Sequence, residues 1–115
     1  MRALSVRQPW AAMIFERAKD VENRSQATRY RGPLVIHASA LMDPAAFLRL
    51  AALGVNDADA SIYPGGVLLG TVRVVGCVQD ADSYSRWAEP GQWHWLLADP
   101  QPFPEPIPCK GRLGL

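Results

Sequence analysis

At 115 residues the chain has material for one domain with one properly buried core, and too little for two. Hydrophobic residues at 49% and charged residues at 20% exclude wholesale disorder and a fibrous architecture. The net charge of +1 hides a division: residues 1–36 carry seven Arg or Lys against three acids, residues 37–115 five against eight, which points to an anionic ligand near the first segment unless the arginines are simply dispersed over the surface.

Leu4-Ser5-Val6 alternates briefly and leads into Gln8-Pro9-Trp10, where proline suits the first turn of a helix because its missing N–H would be unpaired there anyway. A helix is expected from about Pro9 to Lys19, with Trp10, Met13, Ile14 and Ala18 on the side that packs on a sheet. Val21-Glu22-Asn23-Arg24-Ser25 reads as a short strand that points Glu22 and Arg24 into one space. Pro33 to Ser39 alternates again, with Leu34, Ile36 and Ala38 on one face and Val35, His37 and Ser39 on the other.

Asp43-Pro44 is a helix start, and the helix runs on to Leu53 before Gly54 stops it. Residues 55–64 read as a polar loop. Gly66 to Gln79 follows as a long strand, its even positions Leu68, Val72, Val74 and Val78 apolar and its Gly70 and Gly76 placed for bends or bulges. Such a strand suggests a small closed barrel. Asp80 to Gln92 is loop-like, and Trp93 to Ala98 is another strand. Between Pro100 and Pro108 five of nine residues are proline, which forbids a central strand and dictates an extended edge or wrap. The expected class is therefore α+β with a mostly antiparallel barrel.

The longest apolar run, Trp10 to Phe15, is far short of the roughly 20 residues of a membrane-spanning helix, so no membrane partner is expected. The arginine-interrupted N-terminus lacks the apolar stretch of a secretory signal, which makes a cytoplasmic location the expectation. Cys77 and Cys109 have no C-x-x-C spacing and no histidine at zinc-finger distance, so they are expected to be small buried hydrophobes. No phosphate loop, nucleophile elbow or His-x-x-x-His pair is present, and neither metal nor cofactor is expected.

Four blocks in this order resemble the ASCH domain, a member of the PUA-like group of RNA-associated barrels. They are Leu4-Ser5-Val6-Arg7-Gln8-Pro9-Trp10-Ala11, Lys19-Asp20-Val21-Glu22-Asn23-Arg24-Ser25, Tyr30-Arg31-Gly32-Pro33-Leu34-Val35-Ile36-His37-Ala38-Ser39 and Tyr63-Pro64-Gly65-Gly66-Val67-Leu68-Leu69-Gly70. Trp95-x-Leu97 and Lys110-Gly111 add to the likeness, which covers nearly the whole chain as a single domain over residues 1–115. It is most similar to the ASCH domain of a eukaryotic transcription coactivator and its small bacterial relatives. The resemblance implies a PUA-like, mostly antiparallel β-barrel flanked by two or more helices. A basic cleft between the first helix and the barrel would bind RNA, another single-stranded nucleic acid or a modified nucleoside.

Some members of the family look like hydrolases, an amidohydrolase of acylated cytidine and a proposed ribonuclease, in which the lysine matching Lys19 is essential. The amidohydrolase has a threonine three residues after that lysine, and here that position is Glu22. On this second reading Lys19 and Glu22 would be catalytic. The bland alternative is a structural ion pair shared with Arg24. Arg24 offers a planar fork for phosphate or a base edge, or a bridge to Glu22. Gln8 offers an amide; Trp10 offers either a stacking platform or a piece of core. His37 and Ser39 share a strand face as candidate ligand contacts, and Lys110 is a candidate phosphate contact.

Overall fold

The computed structural model describes residues 2–59 and 62–109. Its elements in order are β1 (Arg2–Gln8), α1 (Trp10–Glu16), β2 (Val21–Arg24), β3 (Gly32–Met42), α2 (Ala46–Ala52), β4 (Val67–Val78), a 3-10 turn at Ala81–Ser83 and β5 (Trp93–Pro108). One five-stranded sheet carries them in the order β1-β3-β4-β5-β2. Only β1 and β3 run parallel; the other neighbours are antiparallel.

The expected closure into a barrel is not found. The strands at the two ends of the sheet, β1 and β2, form no ladder with each other. Instead the sheet curls until the Arg24 side chain of β2 reaches the Ser5 carbonyl of β1, Nη1 to O 3.4 Å. Side chains fill the seam that a backbone ladder would have closed, and a cleft opens there.

The two faces of β3 follow the alternation. Leu34, Ile36 and Ala38 are buried against Leu4, Val6, Ile14, Val72 and Val74 in the core between α1 and the sheet. A second core gathers Met13, Val21, Leu50, Val55, Tyr63 and Trp87 beneath α2 and the loops. Both cysteines are free and half-buried rather than buried. β4 bulges at Leu69 against β3 and at Val75 against β5, beside Gly70 and Gly76 as the glycines suggest, and a further register shift against β5 falls between Thr71 and Arg73. The proline segment is not a separate tail but the second half of β5, paired with β4 on one side only. Prolines at alternate positions 100 to 108 put every missing N–H on one edge of the strand, which leaves the other edge able to pair.

Helix α1 stops at Glu16, three residues before the expected end. The Met13 carbonyl accepts from the amides of both Arg17 (3.0 Å) and Lys19 (3.1 Å), with Ala18 in the left-handed region at φ 55°. This turn swings Lys19 off the helix axis and into the interior. Beyond it, hydrogen bonding and charge from the Arg17 guanidinium hold the exposed Asp57 carboxyl below the usual carboxylate range. A left-handed non-glycine residue costs about 1–2 kcal/mol, whereas glycine costs about 0.4–1 kcal/mol through the unfolded chain. Ala18→Gly is therefore expected to raise the melting temperature by a few degrees; a fall would show that the turn carries no strain.

Candidate nucleic-acid interface

The seam between β1 and β2 widens into a cleft of about 600 Å³, bounded by Ser5, Val6 and Arg7 of β1, the start of α1 at Trp10, β2, and Asp43 to Arg49 ahead of and within α2. That volume lies within the range of small-molecule sites.

Lys19 and Glu22 form its buried wall, their side chains 2% and 10% exposed. Lys19 Nζ donates to Glu22 Oε1 at 2.9 Å and to the Val21 carbonyl at 2.5 Å. The ammonium also stands 6.0 Å from the centre of the Trp10 ring. Glu22 Oε2 accepts from Arg24 Nη1 at 3.4 Å, so one carboxylate ties two cations. Arg24 in turn lies 5.7 Å from the Trp95 ring and remains partly exposed. The strand period explains the arrangement: β2 pairs Glu22 with Trp95 and Arg24 with Trp93, so both charged side chains leave the same face.

Trp10 serves both core and cleft. It packs against the two hydrophobic clusters and lines the cavity, while its Nε1 donates to Asp43 Oδ2 at 2.9 Å. Ser39 also lines the cleft. Gln8 does not: its Nε2 donates to the Pro64 carbonyl (3.1 Å) and its Oε1 accepts from the Ala12 amide (2.9 Å), which pins β1 to the first turn of α1. His37 is buried away from the cavity between Ser5 Oγ and the Cys109 carbonyl, each 2.9 Å from a ring nitrogen. Lys110 lies outside the described residues.

The structure adds Arg7, Asn23, Asp43, Arg49 and Glu89 to the cleft. Asp43 is expected only as a helix start; α2 begins later, at Ala46 with Ala45 before it and no side-chain cap, and Asp43 Oδ1 instead accepts from the Ala45 amide at 3.1 Å in the turn ahead of the helix. Arg49 meets Glu89 at 3.2 Å across the rim. Glu89 is placed by two polar side chains, the half-buried Asn23 and the buried His94: its amide donates to Asn23 Oδ1 (2.8 Å), and its carbonyl accepts from His94 Nε2 (2.6 Å). Asn23 Nδ2 donates to the Trp87 carbonyl as well. Asn23→Ala leaves both backbone groups without that partner and is expected to cost about 2 kcal/mol. Hydrogen exchange at the Glu89 amide should accelerate, and an unchanged rate there would deny Asn23 this part.

Among the described residues no group of three His, Cys, Asp or Glu side chains is placed to hold a metal ion, and no helix is long and apolar enough to cross a membrane. The chain matches the ASCH domain family model over residues 4–107. It is 31% identical to activating signal cointegrator 1 of Homo sapiens and 29% identical to that of Mus musculus, each over 119 aligned positions that cover 94% of this chain. It spans about a fifth of the length of those two relatives.

Proposed function

The chain belongs to the ASCH domain family, one linked to RNA binding, and from that membership we propose that the cleft takes a nucleotide unit, of RNA, of another single-stranded nucleic acid or as a modified nucleoside. What carries the reading is the meeting of four cations, Arg7, Lys19, Arg24 and Arg49, with the Trp10 ring around one hollow of about 600 Å³. A base stacked on an aromatic face gains about 1–3 kcal/mol whatever its identity. The Arg24 guanidinium supplies donors for a phosphate or a base edge, while Asp43 and Glu22 hold acceptors for exocyclic amino groups.

Filter binding with single-stranded RNA across a series of salt concentrations tests it. Affinity should fall as salt rises. At constant salt, Arg24→Ala should weaken binding about tenfold, the worth of one hydrogen bond to a charged group. Affinity indifferent both to salt and to Arg24 would overturn the proposal.

A hydrolytic reading has one observation in its favour, the buried ammonium–carboxylate pair on the cleft wall. Lys19 would donate to the leaving group and Glu22 would activate water. Hydrolysis of RNA or of N4-acylated cytidine by the wild-type protein that disappears in folded Lys19→Met even at saturating substrate would establish it. Wild-type protein that binds and releases no product would leave binding as the activity.

A further inference from the structure

We propose that the partner is a polynucleotide strand rather than a free nucleoside, and that the phosphates flanking the bound unit lie along the open edge of β1, held by arginines spaced along it. This rests on the cleft reading above and extends it to the surface beyond the cleft.

Residues 2–15 and 24–42 hold five arginines, Arg2, Arg7, Arg24, Arg29 and Arg31, and no Asp or Glu. The fold makes these two stretches neighbours, because β1 pairs with β3 and the Arg24 side chain reaches Ser5. Along β1 the cations therefore come at intervals. Arg24 sits at Ser5, Arg7 is about 7 Å further in one direction on the face that Ser5 shares, and Arg2 is about 10 Å in the other, at the start of the strand and on its opposite face, turned to Tyr30. Among the described residues no strand pairs with that edge.

At the Arg2 end the guanidinium covers the Tyr30 ring at 4.6 Å, and Tyr30 is flanked by exposed Arg29 and Arg31. Arg31 is oriented by the Thr28 and Tyr30 carbonyls, at 3.2 and 2.8 Å. Among the described residues no ion pair joins Arg2, Arg7, Arg29 or Arg31 to an acid. The cleft cations Lys19 and Arg49, by contrast, are each neutralised by a carboxylate. Uncompensated charge thus lies on Arg7 at the cleft and on Arg2, Arg29 and Arg31 beyond it, with the Tyr30 ring against Arg2 and the Trp95 ring beside the Glu22-paired Arg24. A lone nucleoside has no charge to use such a row. A strand has one phosphate per unit, and repeated cation–aromatic pairs suit its alternation of phosphate and base.

The test compares two probes on the full chain: a mixed-sequence single-stranded RNA ten-mer and the four ribonucleoside 5′-monophosphates. The ten-mer should bind at least tenfold more tightly. In Arg2→Gln/Arg29→Gln/Arg31→Gln the ten-mer should lose about tenfold. The slope of log affinity on log salt should flatten by about 2, since each phosphate contact on a single strand contributes about 0.7. Monophosphate binding should stay as it was. Arg2→Gln/Arg29→Gln spares the Arg31 hydrogen bonds and should show a smaller change of the same kind. Equal affinity for both probes, or an unaltered slope in a folded variant, would overturn the inference while leaving the cleft reading in place. Monophosphate binding unaffected by Arg24→Ala would instead remove the cleft reading. A polyglutamate peptide that displaces the ten-mer at equal charge concentration would assign the edge to acidic proteins and also defeat the proposal.

Discussion

Lys19→Met is expected to lower the melting temperature by more than 10 °C. The substitution keeps most of the side-chain volume but leaves the Glu22 carboxylate on a buried wall with Arg24 at 3.4 Å as its remaining cation. Removing one member of a buried pair costs about 3–5 kcal/mol, chiefly from stranding the other charge. For a domain of this size each kcal/mol moves the midpoint by about 4 °C. The control is Lys19→Met/Glu22→Leu, in which both charges go together. A buried pair exchanged for apolar groups of like volume is close to neutral or stabilising, so the double variant should recover most of the loss, with Arg24 free to turn to solvent. Nucleic-acid affinity should stay low in both variants, because the cleft has lost its buried cation. A single variant as stable as wild type would show that the pair is exchanged with water rather than sealed in the wall.

Gly70→Ala should cost about 3 kcal/mol, the upper part of the range for overpacking. A Cβ at residue 70 would lie 2.4 Å from the Gln101 carbonyl oxygen and 2.8 Å from both the Pro102 Cα and the Phe15 ring. Two of those three neighbours are backbone of β5, so no rotamer change relieves the contact. Between its pairings with Leu68 and Gly70 the β5 strand carries the extra residues, and the bare Cα of Gly70 lets the β5 backbone and the Phe15 ring of α1 come this close. Gly76→Ala is the informative comparison. There the added carbon meets only the Leu96 side chain, at 2.9 Å from Cδ1, and a leucine terminus can turn aside. Thermal denaturation should place Gly76→Ala at well under half the loss of Gly70→Ala. Equal losses would mean that the glycines matter for chain entropy and not for the approach of β5.

Much of the site was legible because its information is local. Period-two alternation put Glu22 and Arg24 on one face of β2, and they meet within the cleft wall. The same rule selected Leu34, Ile36 and Ala38 for the core. The rule is blind to what lies opposite a face, and there it misled. His37 and Gln8 carry polar groups on plausible surfaces, yet the Ser5 hydroxyl, the Cys109 and Pro64 carbonyls and the Ala12 amide occupy those groups. Nothing in a one-dimensional pattern announces a partner 72 residues away. Arg49 and Glu89 were missed for the same reason: each looks like a solvated charge until α2 and the loop before β5 face each other across the rim.

The excess of cations over acids in residues 1–36, the short charged strand after the first helix and the extended proline edge follow from sequence alone, since charge counts, side-chain alternation and the missing proline N–H depend only on near neighbours along the chain. Whether the sheet closed was a tertiary matter. Strand length and glycine bends allow either a barrel or an open curl, and what chose between them is the seam where β1 meets β2. There Arg24 reaches the Ser5 carbonyl, Lys19 turns inward on a left-handed Ala18, and Glu22 binds both cations. Four charged or polar groups from three elements need space and one another, and a backbone ladder at that position would have left them neither.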